Sequence, residues 1–507
     1  DGRTISNVFL DAPVGAYMQD ESKVEMDAAN AVIYACMRIL SGQYDTAMVV
    51  GLALTGSQAS PYLYIEYTLN PTYDRQLKLL NELSAAALQA RSYLDKFGYA
   101  SGMLDDIAAQ ALANAALNPN QARRLSGVTA EKVAESAMYY EPLRELHCYP
   151  PTDGGCAVLL ASEERARELT DKPVWIKGMG MSTETYYLGE RKLYESSSAA
   201  EAARRAYELA GVKSPAKEVH LAEISALFAH QEPLLAEALG LLEKGEAEKA
   251  YRDGVTAIGG KLPLNPSGGA LGAHAVSVTG LMRVAEAVRQ LRGEAEGNQV
   301  KEAELAVVHG QDGLCAQQNA VLVLGMRNVG IVGIGYTPVF VSKRRDVNIS
   351  EMISEAVEAA FANTGLGPKD IDAVVFGNMH TFEGLNLPHL WAADYIASLG
   401  KPLMRIATGG TTGMSAFHAG YYHIASGLHD VVMVVTYEKQ SEGDSQVGLM
   451  GIITPEIMAM LSAGIDVTGQ SGMGAIGGGS AGGISFQASS YLYHSGAGIE
   501  HIDEQAA

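Results

Sequence analysis

Ala35-Cys36-Met37-Arg38-Ile39-Leu40-Ser41-Gly42-Gln43-Tyr44-Asp45-Thr46-Ala47-Met48-Val49-Val50 returns later in the chain as Gly420-Tyr421-Tyr422-His423-Ile424-Ala425-Ser426-Gly427-Leu428-His429-Asp430-Val431-Val432-Met433-Val434-Val435, at an offset of 385 residues. Each copy reads as an apolar helix, a Ser-Gly stop and a buried strand ending in Val-Val. Units of this kind build parallel sheets covered by helices. A second echo pairs Tyr99-Ala100-Ser101-Gly102 with Tyr493-His494-Ser495-Gly496 at an offset of 394, in the same order. Solenoid repeats recur every 20 to 50 residues, so these distant echoes read as two copies of one α/β domain type.

Working outward, the second copy begins near Met326. Val329 to Gly335 reads as a buried first strand, and Ser350 to Thr364 as an amphipathic helix with a serine N-cap and Gly365 after its end. Leu305 to His309 and Ala320 to Leu324 read as the strands that close the first copy. With no linker between the copies, the join resembles two reading frames run together. The N-terminus, Asp1-Gly2-Arg3-Thr4, has no initiator methionine and no signal-peptide pattern, as expected of a chain that starts inside a domain.

A length of 507 residues favours about three units, each with its own core. With 47% apolar and 19% charged residues, the composition is that of a globular protein. A net charge of -21 repels nucleic acid and anionic membrane, so neither is expected as a partner. Cys36, Cys148, Cys156 and Cys315 show no C-x-x-C spacing, hence no metal site and no disulfide framework is expected. No run of about 18 apolar residues is present, and a reducing cytoplasm is the expected setting.

Four segments of residues 1–325 carry a family resemblance, in the right order. Thr152-Asp153-Gly154-Gly155-Cys156-Ala157 resembles the D-G-A-A-A strand of the thiolases, particularly the sterol-carrier-protein type. Glu223-Ile224-Ser225-Ala226-Leu227-Phe228, with Glu232, resembles their E-V-H-D-x-F helix start. Asn265-Pro266-Ser267-Gly268-Gly269, then His274 and Thr279-Gly280, resembles their glycine-histidine loop, and His309 to Gly313 their final H-N-x-G-G turn. The resemblance implies an α/β thiolase fold with duplicated α-β-α-β-α layers, present as incomplete copies joined end to end. Residues 1–140 would be the remainder of an N-terminal half plus a loop region, 141–325 a C-terminal half, and 326–507 a second N-terminal half. The half missing its first strands would be filled either by about residues 326–401 or by a partner chain.

The resemblance also implies acyl-CoA chemistry, with a coenzyme A thioester as substrate, no covalently bound cofactor and no metal. In this reading His274 supplies an oxyanion donor, Asn265, Gly268, Gly269 and Ser225 contact substrate, and Glu25 or His309 acts as general acid or base. The family's nucleophilic cysteine lies seventeen residues before the glycine of the Ser-Gly stop, which lands on Glu25 in the first copy and Gly410 in the second. A shift of three residues makes the first slot Ala28. Neither register holds a cysteine. Ser225 also replaces a histidine and Ala226 an aspartate, so ordinary thiolysis is disfavoured. Two readings follow: an enzyme that makes or breaks a carbon-carbon bond without an acyl-enzyme, acyltransferase-like or aldolase-like, and a non-catalytic subunit that completes or regulates a heteromer. A homo- or hetero-oligomer with thiolase-like subunits is expected, and the resemblance leaves open a zinc-ribbon partner subunit.

Overall fold

In the computed structural model, the residues described are 16, 19–54, 80–169, 173–276, 278–323, 349–364, 366–378, 387–408 and 412–437. The strand expected over Val329 to Gly335, the join at Met326, the second echo at Tyr493 and the slot at Gly410 lie outside them. Among the described residues no helix is long and apolar enough to cross a membrane.

The repeat that opens the sequence is repeated in atomic detail. Helix α1 (Ala28–Leu40) leads into strand β1 (Thr46–Leu54). In both copies the serine N–H bonds back four residues, Ser41 to the Met37 carbonyl and Ser426 to that of Tyr422. In both, the serine hydroxyl donates three residues back, to Arg38 and to His423. Gly42 and Gly427 then take φ of 76° and 74°, a conformation that stops a helix and that glycine adopts without strain.

The first copy continues with the paired helices α2 (Glu82–Phe97) and α3 (Gly102–Leu117) and strand β2 (Asp153–Ala161). Strand β2 pairs antiparallel with β1, Thr46 opposite Ala161. Next come β3 (Gly178–Thr183), α4 (Ser197–Ala210), β4 (Leu221–Ile224), α5 (Gln231–Ala238), α6 (Thr279–Arg292), β5 (Ala306–Asp312) and β6 (Gln318–Val323). They form a four-stranded sheet in the order β3-β6-β5-β4, with only β4 and β5 parallel. The segment read as a helix start, Glu223 to Phe228, is the end of β4 and the turn before α5. Helix formation waits until Gln231, where the backbone polar groups of the turn have been met by His309, Gln231 and His147.

The second copy supplies α7 (Ile349–Thr364), β7 (Ala373–Gly377), β8 (Leu403–Ile406), α8 (Thr412–Ala425) and β9 (Val432–Thr436). Its three strands are parallel, in the order β8-β7-β9. Among the described residues no strand of this copy pairs with β1. The contact between copies lies elsewhere. Val24 bridges antiparallel to Ile406 at the edge of β8, and the homologous helices α1 and α8 share one apolar cluster of Ile33, Tyr34, Met37, Ala416, Ala419 and Tyr422.

Candidate active site

The site is built where two helices begin. Asp27 is the N-cap of α1, and its Oδ1 accepts the Ala29 N–H at 3.0 Å. Its Oδ2 accepts the Gly280 N–H at 2.9 Å, from the first turn of α6. One carboxylate therefore caps two helices, with the positive ends of both macrodipoles directed at it. Glycines make the approach feasible: a Cβ on Gly280 would lie 1.8 Å from Asp27 Oδ1, and one on Gly310 2.3 Å from it. Asp27 is 4% exposed. Burial pushes its carboxyl up to about 7, with the Ala29 and Gly280 N–H groups pulling the other way, Asp312 adding to the rise and Arg283 opposing it.

Asp312 ends strand β5 and accepts the Gly313 N–H at 2.8 Å. Burial pushes its carboxyl up to about 6, and Arg405 from β8 acts against the rise. Burial thus raises both carboxyls toward the range in which proton transfer in either direction is efficient.

His274 joins this centre through consecutive residues. Its Nδ1 lies 2.7 Å from Thr279 Oγ1, and Thr279 precedes the Gly280 whose N–H holds Asp27. The ring packs edge-on against Tyr149 at 4.3 Å between centroids. Burial pushes the imidazole down to about 3, so it is neutral at pH 7. The Thr279 hydroxyl also donates to the Ala275 carbonyl at 3.4 Å, and an oxyanion donor role for the ring requires the tautomer with its hydrogen on Nε2.

The remaining expected residues are held by the protein itself. Asn265, at φ 44°, accepts the Ile224 N–H on Oδ1 at 2.7 Å and donates through Nδ2 to Glu232. What comes close to Gly268, at φ 96°, is helix α3, since a Cβ there would lie 2.5 Å from Ala115 Cα. Gly269, at φ 60°, turns against the Asn265 side chain. Ser225 is buried, its hydroxyl has no hydrogen-bond partner among the described residues, and its N–H reaches the His309 carbonyl at 3.1 Å. His309 Nε2 donates to Asn319 Oδ1 at 2.8 Å, and burial lowers its pKa to about 4. Glu25 directs its carboxylate to Lys23 at 2.5 Å and to Arg405 of the second copy at 2.6 Å. The carboxylate that meets α6 is that of Asp27, two residues on.

Beneath the centre lies a buried ion pair. Arg283 Nη1 is 2.8 Å from Glu223 Oε2, both side chains have no exposure, and Ser267 binds both partners. Burial pushes the thiols of Cys36, Cys148 and Cys315 up to about 12 and raises that of the half-buried Cys156 as well, against a reactive thiolate at any of them. Among the described residues no group of three or more His, Cys, Asp or Glu is placed to hold a metal.

Residues 180–326 match the family model for the thiolase C-terminal domain, and residues 329–456 that for the thiolase N-terminal domain. An acetyl-CoA acetyltransferase of Methanothermobacter thermautotrophicus is 34% identical over 275 residues, 54% of this chain and 71% of that protein. The chain belongs to the thiolase family. Its two matched thiolase segments stand in inverted order, the C-terminal model before the N-terminal one. Rabbit sterol carrier protein 2 is 36% identical over 35% of this chain and 34% of its own length. The 17-hydroxy-3-oxo-4-pregnene-20-carboxyl-CoA lyase of Mycobacterium tuberculosis is 33% identical over 41% of this chain and 54% of its own. These two are thus matched over about a third and about half of their lengths.

Asp27 and Asp312 were not among the residues expected from sequence. Asp27 lies between the two counted registers, Glu25 and Ala28, and Asp312 occupies a glycine position of the H-N-x-G-G turn. The second substitution was a readable signal, because a carboxylate where the family carries glycine changes the charge of the site.

Proposed function

We propose that this thiolase-family chain acts on acyl-CoA thioesters by making or breaking a carbon-carbon bond, in the retro-aldol sense, without an acyl-enzyme. The observation that carries the reading is Asp27, a buried carboxylate at the N-cap of α1, between Glu25 and Ala28, the two positions at which the resemblance would put the family's cysteine. In the cleavage direction Asp27 removes the proton of a β-hydroxyl on the acyl chain. The Cα–Cβ bond breaks, and its electron pair passes to the thioester oxygen as an enolate, which His274 Nε2–H stabilises. The new carbonyl compound departs, and a proton from the Asp27 and Asp312 pair returns to Cα. Atoms and charge balance with no further reactant, and the reverse sequence is a condensation. In the same reading Asn265, Gly268 and Gly269 set the loop that carries His274, and Ser225 and His309 line the floor beside Gln311.

The test is covalent chemistry. Mixed with acetyl-CoA or acetoacetyl-CoA, the protein is expected to show no acyl adduct by intact mass at any time, because no thiol lies at the helix start. A stable adduct of acetyl mass would overturn the reading.

One observation favours a second reading, a subunit that completes or regulates a heteromer. The β1–β2 ribbon turns large apolar side chains outward, with Met48 51% and Leu159 65% exposed. Such a face suits a thiolase-like partner, the same chain or another, more than it suits solvent. A zinc-ribbon subunit is the alternative occupant. Light scattering of the purified chain, alone and with candidate subunits, separates these arrangements.

A further inference from the structure

Just before β2, the segment Cys148 to Thr152 runs between two loops of the site and bonds to both. Cys148 bridges antiparallel to Phe228, and the Tyr149 N–H reaches the Leu227 carbonyl at 3.0 Å, on the turn that holds Ser225. Pro151 bridges parallel to His274, and the Thr152 N–H reaches the His274 carbonyl at 3.0 Å. Arg123 ties the segment to the glycine-histidine loop, its Nη1 on the Cys148 carbonyl at 2.7 Å and its N–H on the Gly272 carbonyl at 2.8 Å. At the centre of this framework Tyr149 is 1% exposed. Its ring lies edge-on to the His274 imidazole, 4.3 Å between centroids at 63°, and edge-on to Phe228 at 5.7 Å. Its hydroxyl donates to Glu82 Oε2 at 2.5 Å. Glu82 is the first residue of α2, a helix start fixed by reciprocal bonds between Asn81 and Ser84.

We infer that Tyr149, anchored through its hydroxyl by Glu82, is the positioning residue that sets the ring of His274 for work as an oxyanion donor. The Thr279 hydroxyl meets the imidazole at Nδ1, and one hydrogen bond leaves a ring free to rock about that contact. An aromatic ring packed at the close end of the contact range supplies the second restraint. The restraint matters because an oxyanion donor must lie about 3 Å from the place where charge develops, so a small tilt is felt in the rate. Tyrosine suits the role better than phenylalanine: its buried hydroxyl takes a partner, and the bond to Glu82 stops the ring from sliding along its neighbours. A line of direct contacts thus runs from the capped start of α2 through Tyr149 to His274.

The inference rests on the proposed role of His274, and its test reads ring and rate separately. The full chain is labelled with 15N in its histidine rings, and the His274 signals, assigned by their loss in His274→Ala, report the tautomer and setting of the ring by NMR. Turnover is read as deuterium exchange into acetyl-CoA. In folded Tyr149→Leu the His274 signals are expected to move or to split between tautomers. Its kcat is expected to fall about 10- to 100-fold, the cost of a misplaced catalytic group, with KM within about twofold of wild type. Tyr149→Phe, which keeps the ring and loses its anchor, should lie between the two. A residue that only fills the core would lower the melting midpoint and leave both kcat per folded molecule and the His274 signals unchanged, and that result would overturn the inference. Should Tyr149→Leu fail to fold, Tyr149→Phe carries the same test, and an unchanged kcat with unchanged ring signals would overturn it in the same way. A wrong assignment of the reaction would appear separately, as wild-type protein without exchange while the His274 signals still follow residue 149.

Discussion

Asp27→Asn is expected to lower turnover about 10²- to 10⁴-fold, the range for loss of a general acid or base, and at pH 8 to raise the thermal midpoint. The two effects have one cause. A buried carboxyl with its folded pKa raised from 3.8 to about 7 binds its proton more tightly in the folded state than in the unfolded. Stability from this group is therefore full below about pH 4 and is lost as pH rises through about 7. Asparagine carries no charge to bury and keeps one acceptor for the Ala29 N–H. The stability difference between variant and wild type should accordingly grow between pH 4 and 7, reaching at most ~2–4 kcal/mol at about 1.4 kcal/mol per pKa unit. Melting curves at pH 5 and pH 8 check the sign. A variant less stable at pH 8 than at pH 5, relative to wild type, would mean that Asp27 serves as a cap alone.

Glu223→Gln is expected to destabilise the chain by about 3–5 kcal/mol, since it leaves the Arg283 guanidinium buried without a counter-charge. The carboxylate now receives the Ser267 N–H at 3.0 Å, its hydroxyl at 2.7 Å and Arg283 at 2.8 Å. Glutamine can meet the first two but not the charge. Adding Arg283→Met should recover most of the loss, because an apolar side chain of similar length replaces an ion whose desolvation was costly. Denaturant midpoints of the two variants decide the matter. A double variant no better than the single one would show that the network holds the loop by its hydrogen bonds and that the charges are incidental.

The repeat was legible because it has a local cause. The stop Ser41-Gly42 and its counterpart Ser426-Gly427 need a hydroxyl for the last turn and a positive φ after it, and both needs are written in the residue types. The glycine-histidine loop was legible in position, with His274 brought to the start of α6 by the Thr279 contact. What Gly268 accommodates was not, because Ala115 is distant in sequence and only the fold places α3 there. Glu25 and Asp27 could not be told apart by counting. Which of them meets α6 depends on Gly280, and which of them is drawn away depends on Arg405, far along the chain. The inward charge of the second copy was likewise invisible, since a lone arginine in the apolar strand Leu403–Ile406 has no local signature of what it will pair with.

In the proposed chemistry the first thiolase copy forms an acyl-CoA enolate with Asp27 as base and His274 as oxyanion donor. Enolate formation can be observed without knowing the second substrate, by following hydrogen–deuterium exchange at the methyl group of acetyl-CoA in D₂O by NMR. Wild-type protein is expected to catalyse the exchange, with Asp27→Asn and His274→Ala each slower by about 10² or more. Exchange that persists unchanged in both variants, or is absent from wild-type protein that binds acetyl-CoA, would contradict it.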